Sequence, residues 1–237
     1  MNDFDRLARV TTAFARHRER GSFCSASVDV LGVASAGVSL MSDQHNAPVC
    51  HSDERSLALE ELQFSLGEGP SLDAYANHEA IHEPDLEHAH IDRWPIFTTT
   101  ALELGTRGVF ALPLNAGQRC IGVLTLYNDV AGALTSEQAA DGLVVADTVA
   151  QAMLESQSFS EPDLLAEHLE DTASHRAEVH QASGMVAVQL GVAVADAEVR
   201  LRAHAYAANR PVVDVARDIV ERRLRLDDDG PTSRSDG

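Results

Sequence analysis

At 237 residues the chain has room for one large domain or two small ones, and 44% hydrophobic with 23% charged residues is a globular rather than a disordered balance. A net charge of -19 argues against the whole molecule binding nucleic acid or an anionic membrane, while fields screened beyond about 8 Å leave room for a local site. All 18 basic residues are arginine, so a P-loop, a kinase and a pyridoxal enzyme are excluded for want of their lysine, and a receiver domain of the usual kind is disfavoured.

Three widely spaced cysteines, Cys24, Cys50 and Cys120, contain no Cys-x-x-Cys pair. They signal neither a zinc cluster nor a redox dithiol, and read as small buried hydrophobes. The start MNDFDRLARV lacks a charged-then-apolar signal pattern, and the most apolar run, Val30 to Met41, is too short to span a bilayer. A cytoplasmic protein with no membrane partner is the expectation.

In chain order, Phe4, Leu7, Ala8, Val10, Thr11 and Phe14 recur at helical spacing over residues 4–19. Residues 26–41 pass from helix to strand, with Val38, Leu40 and Met41 in the strand. A helix is predicted over Glu54 to Phe64, followed by a turn at Gly67-Glu68-Gly69-Pro70. His78, His82, His88 and His90 bracket the acidic, loop-like segment from Glu83 to Glu87, a pattern of solvated surface rather than of a metal centre; Asp85 and Glu87 form no convincing acid–base pair. Two β-rich runs, Gly108 to Leu114 and Arg119 to Tyr127, flank Asn115-Ala116-Gly117 and predict an antiparallel hairpin. A long helix follows to about Ser158, with Thr135 as its N-cap and Glu137 close behind.

Ser160-Glu161-Pro162 restarts a helix, with Ser160 as cap and the proline in the first turn. From Leu165 a four–three series runs through Leu169, Thr172, Arg176, Val179, Ser183, Val186 and Leu190; it suits either a helix packed within its own domain or a dimeric coiled coil. Gly191 should stop it. A helix from Asp196 to Ala208 turns Ala197, Leu201, Ala205 and Ala208 inward. After a break at Asn209 and Arg210, Pro211 starts a last helix with Val212, Val215, Ala216, Ile219 and Val220 inward. The tail from Asp227 reads as disordered. The expected organisation is α+β: a mixed domain over 1–158, an all-α module over 159–226 and an acidic tail over 227–237. Charge divides a little beyond the first of these boundaries, past Asp171. Residues 173–226 carry eight arginines against six acids, +2, while the remainder carries ten against thirty-one, -21. The helical module is therefore the plausible site for a polyanion.

Gln181-Ala182-Ser183-Gly184-Met185, the glycine-ended helix, Ala197…Leu201…Ala205 and Val215-Ala216 resemble the ANTAR domain, a small helical RNA-binding module of bacterial transcription antiterminators. The resemblance covers roughly residues 162–225. The stretch from Leu59 to Pro70, with Asp92-Arg93-Trp94-Pro95 and the strand from Ile121 to Tyr127, is similar to the GAF domain commonly fused to it. That likeness implies an antiparallel sheet flanked by helices, with a cavity on one face for an unidentified small-molecule ligand; no particular cofactor or metal is called for, and the cyclic-nucleotide signature of some members is not evident. The two together imply a signal-responsive, non-enzymatic antitermination regulator that binds hairpin loops in a leader transcript, as a homodimer through the helical linker and module.

For RNA contact the candidates are Gln181, Gly184, Met185, Arg200, Arg202, Asn209 and Arg210. Arginine can grip phosphate or stack on a base, and Gln181 and Asn209 can read base edges. Gly184 and Met185 suit simple packing as well as close approach of RNA to the helix. Arg200 and Arg202, two apart, cannot share one narrow face, and Arg200 stands four after Asp196, the spacing of an ion pair. Arg222, Arg223 and Arg225 read as complements to the last helix's dipole. Two further readings stay open: a DNA-binding regulator with a C-terminal helix-turn-helix, against which Asp214, Asp218 and Glu221 interrupt the last helix, and a GAF-type methionine-sulfoxide reductase using Cys50 and Cys120.

Overall fold

A computed structural model of the protein describes residues 3–18, 23–42, 46–89, 93–158, 165–208 and 210–226. It divides into two compact units near Leu169 and Glu170. The first begins with helices α1 (Asp3–Arg18) and α2 (Phe23–Leu31) and strands β1 (Ser35–Met41) and β2 (Asn46–His51). Helices α3 (Glu54–Leu66) and α4 (Pro70–Asn77), strand β3 (Ile81–Glu83) and helix α5 (Pro95–Glu103) follow. The hairpin β4 (Gly108–Ala116) and β5 (Arg119–Asn128) then leads into α6 (Ser136–Ser158).

The five strands form one antiparallel sheet in the order β2-β1-β5-β4-β3. Its centre is the hairpin expected from the sequence, closed with Gly117 at φ 65. Period-two alternation sends Phe110, Leu112, Leu114, Leu124, Leu126, Ala36 and Val38 to one face. There they pack with Val10, Cys24, Leu31, Val145, Val149 and Met153 from α1, α2 and α6. Each such side chain, fully buried, contributes about 1.5–3 kcal/mol, so this layer dominates the unit's stability. At Gly122 an added Cβ would collide with the Ser39 carbonyl oxygen, so a side chain there would drive β5 away from β1.

Helix α6 starts as its residues dictate, with one refinement. The Gln138 amide donates to Thr135 Oγ1 (3.1 Å) and the Thr135 amide donates to Gln138 Oε1 (2.9 Å), a reciprocal capping box closed by Gln138 rather than Glu137. Gln138 Nε2 also donates to the carbonyl of Leu31, the last residue of α2 (2.8 Å). Asp141, 2% exposed, is gripped by Arg6 Nε at 2.6 Å and by Arg9 from α1.

The second unit comprises α7 (Leu165–Leu190) from Glu170 onward, α8 (Val194–Ala207) and α9 (Val212–Val220). Gly191, at φ 65, ends α7, and the Val192 amide returns to the Ala187 carbonyl, the Schellman arrangement. Ala182, Val186, Ala197, Leu201, Ala205, Val212, Val215, Ala216 and Ile219 are buried, as their spacing requires, whereas Ala208, expected inward, is exposed at the end of α8. Val179, Ser183 and Val186 of the four–three series are buried within the single chain, which leaves them unavailable as a seam to a second copy. The proposed cap Ser160 lies outside the described residues.

Candidate nucleic-acid interface and sensor face

On α7, Gln181 and Val188 are exposed and share one face with Gly184 by their spacing of three and four, while Gly184 and Met185 are both half-buried. A Cβ added at Gly184 would meet nothing within 4 Å, so the close helix packing expected of this glycine is not found. The cations lie elsewhere. Arg200 is exposed on α8, and Arg202, two residues on, is half-buried with its guanidinium 2.7 Å from Glu198. The two therefore point differently, as expected.

Arg210 donates to Asp218 Oδ2 at 2.6 Å, and Arg223 donates to Asp218 Oδ1 at 2.8 Å. Hydrogen bonds from Arg210 and then Arg223 hold the Asp218 carboxyl below the usual carboxylate range. Arg217 bridges α9 to Glu178 of α7 at 3.1 Å, and Arg223 also pairs with Glu221. Two candidate cations, Arg202 and Arg210, are thus committed to carboxylates; the first pair has the ordinary i, i+4 spacing of a helix, while Arg210 and Asp218 sit eight apart across a helix break and give no local signal. Arg222 and Arg225, assigned from sequence to the helix dipole, are exposed and show no carboxylate partner among the described residues. Arg222 takes φ 61 at the end of α9, where its amide bonds to the Ile219 carbonyl and that of Arg223 to the Asp218 carbonyl. Asn209 lies outside the described residues.

The sheet's second face carries a buried polar network. Opposite the apolar layer, Thr125 and Tyr127 of β5 and Ser39 of β1 point toward α3 and α4. Glu60, 6% exposed, accepts from Ser39 Oγ (2.7 Å) and from the Tyr127 hydroxyl (2.7 Å). Gln63 Nε2 donates to that hydroxyl (3.1 Å) and its Oε1 accepts from the Ser71 amide (2.8 Å), while Ser71 and Thr125 share a hydrogen bond of 2.8 Å. Burial first, and then the Glu60 charge, push the Tyr127 phenol well above its usual value, so it stays a neutral donor. These side chains satisfy one another. None of them figured in the sequence reading as a network, since three helix residues and three strand residues meet only in the fold.

The histidines scatter. His78 caps α4 beside Tyr75, His82 meets the Phe110 ring edge-on at 5.8 Å, and exposed His88 bonds Asp85 at 2.9 Å; His90 lies outside the described residues. Among the described residues no three His, Cys, Asp or Glu side chains converge as a metal site would need. The cysteines depart from expectation. Cys24 and Cys50 form a disulfide, while Cys120 is a free, buried thiol donating to the Gly122 carbonyl at 3.1 Å. Spacing alone does not encode such a pairing, and it removes the Cys50–Cys120 dithiol that a reductase would use. Among the described residues no single helix is long and apolar enough to cross a membrane.

Comparison with known proteins completes the description. Residues 167–220 match the ANTAR domain family. In three dimensions the chain is similar to the GAF domain of an Acinetobacter phosphoenolpyruvate-protein phosphotransferase, at 12% identity and TM-score 0.50, covering 69% of this chain and 100% of that one. It is equally similar to the GAF domain of a phosphoenolpyruvate-protein phosphotransferase from Coxiella burnetii, at 13% identity and TM-score 0.50, covering 67% and 98%. At such identities the likeness is one of fold. No curated protein matches the sequence.

Proposed function

We propose that this chain, which carries an ANTAR domain behind a unit of GAF fold, is a cytoplasmic, signal-responsive regulator of transcription antitermination. The ANTAR domain makes RNA the kind of partner. The finer reading is ours: the GAF-fold unit senses a signal, and a homodimer presents two modules to two adjacent hairpin loops in a leader transcript. The observation that carries it is that the ANTAR match, residues 167–220, falls on the all-helical second unit, behind a first unit of GAF fold.

Within the module, exposed Gln181 and half-buried Gly184 on the same face of α7 would meet RNA, with Met185 at their margin. Arg200, Arg202, Arg210 and Asn209 would supply phosphate and base contacts from α8 and the turn after it. The ion pairs of Arg202 and Arg210 do not forbid this, because pairs at a surface are worth only about 0–1 kcal/mol and a phosphate can replace the carboxylate. A coupling of about 1–3 kcal/mol between the units would suffice to switch binding several-fold or more.

The test is a mobility shift of the full chain against an RNA with two adjacent hairpin loops, a scrambled RNA and duplex DNA. Preference for the paired hairpins supports the reading; equal binding to scrambled RNA overturns its specificity, and preference for duplex DNA installs the helix-turn-helix alternative. Gly184→Ala separates packing from contact. Helix propensity alone should stabilise the variant by about 1 kcal/mol, since the new methyl meets nothing. Weaker RNA binding despite that gain places RNA against α7, and unchanged binding removes Gly184 from the interface.

A further inference from the structure

We propose that Cys24 and Cys50 form a thiol–disulfide exchange site at the edge of the sheet, whose substrate is a dithiol and whose turnover releases and refastens β2 from α2. The disulfide joins two differently placed residues. Cys24, in the first turn of α2, is fully buried. Cys50 is half-buried on β2, a terminal strand of the sheet with one side unpaired in it. Pairing slips there: Val38 faces Cys50 and Ser39 faces Pro48, so Val49 is bulged out beside the cysteine. Such bulges re-aim neighbouring side chains, and this one adjoins the sulfur that reaches across to α2.

The Cys24 amide donates to Cys50 Sγ at 3.1 Å. An amide in the first turn of a helix has no acceptor within that helix, and one aimed at sulfur favours its thiolate form. The remaining cysteine stays out of the chemistry, because Cys120 lies inside β5 and burial pushes its thiol up.

The exchange balances with one two-electron reductant. A thiolate of the dithiol attacks Cys50 Sγ, the sulfur of the less buried cysteine; the Cys24–Cys50 bond breaks and Cys24 leaves as thiolate, taking up a proton. The second thiol of the reductant then attacks its own sulfur in the mixed disulfide and expels the Cys50 thiolate, which accepts the Cys24 amide and is protonated in turn. The reductant leaves as its cyclic disulfide, and a small disulfide oxidant runs the sequence backward. The proposal needs only the GAF-fold unit and does not rest on the RNA reading.

The experiment uses the full chain, purified without reductant, then alkylated under native conditions and mapped by mass spectrometry. Cys24 and Cys50 should both be protected at first and both become labelled after dithiothreitol without denaturant, with oxidised glutathione restoring protection. Cys120 should label only on unfolding, and Cys120→Ser should leave the exchange unchanged. Hydrogen exchange at the Cys24 amide and along β2 should quicken on reduction while β4 and β5 keep their protection. Cys24→Ser or Cys50→Ser should abolish the response to dithiothreitol. A link absent from the oxidised protein, one that yields only in denaturant, or β2 exchange indifferent to reduction would each overturn the proposal. No RNA is present, so failure here leaves the RNA reading standing, and the converse.

Discussion

Asp141 and Asp218 present the same constellation in two settings: one carboxylate held by two arginines. In the GAF-fold unit Asp141 keeps 2% of its exposure and pins α1 to α6 through Arg6 and Arg9. In the helical unit Asp218 keeps 20% and gathers Arg210 and Arg223 at a surface. Removing the carboxylate from the first setting leaves the Arg6 guanidinium, 12% exposed, without that partner and with little access to water. In the second, water and salt replace what is lost. The same chemistry is therefore structural in one unit and exchangeable in the other, and an RNA-binding surface requires the exchangeable kind.

Four measurements can break or sharpen that contrast. Asp141→Ala should cost about 3 kcal/mol in urea unfolding, the lower end for a broken buried pair because Arg9 retains 41% exposure. A loss no greater than at Asp218 would erase the distinction. Tyr127→Phe should cost about 1–3 kcal/mol, since Glu60 loses a donor and Gln63 an acceptor. Because the folded phenol titrates above its unfolded value, its contribution is complete below about pH 10 and declines as pH rises beyond that. The variant should lose that alkaline decline, and an unaltered pH profile would show that Tyr127 is not its source.

Arg222→Gly should stabilise the helical unit by about 1 kcal/mol, because φ 61 at a helix end suits glycine. Destabilisation would mean that the Arg222 side chain is held by contacts of its own. Last, Asp218→Asn should leave thermal unfolding unchanged while raising RNA affinity and its dependence on salt, as Arg210 and Arg223 turn from carboxylate to phosphate. A clear loss of stability would place Asp218 beside Asp141 and contradict the exchangeable reading.

Long periodic segments were legible in the sequence. The hairpin of β4 and β5, helix α6 and the three C-terminal helices follow from spacing, and Gly191 ends α7 as expected. Short elements were not. β3 spans three residues, β2 carries Pro48 at an edge, and α4 and α5 each begin at a proline in a stretch too brief to show a period. The turn at Gly67 and Gly69 was legible through its glycines, both at positive φ, but not the helix that Pro70 opens. Of the RNA candidates, sequence placed Gln181 and Gly184 on α7 and separated Arg200 from Arg202. It could not show that Arg210 turns back to Asp218, nor that Cys24 finds Cys50, because both pairings depend on chain reversals that no local pattern records.

Gln138 has a mechanical consequence. One side chain both closes the first turn of α6 and holds the end of α2, so the two helices share a fulcrum. With 23 residues, α6 is a lever arm of about 35 Å. A tilt of a few degrees imposed at that fulcrum sweeps the far end of α6 through about 2–3 Å, at a rise of 1.5 Å per residue. Loss of Gln138 would therefore loosen the first turn of α6 and the end of α2 together.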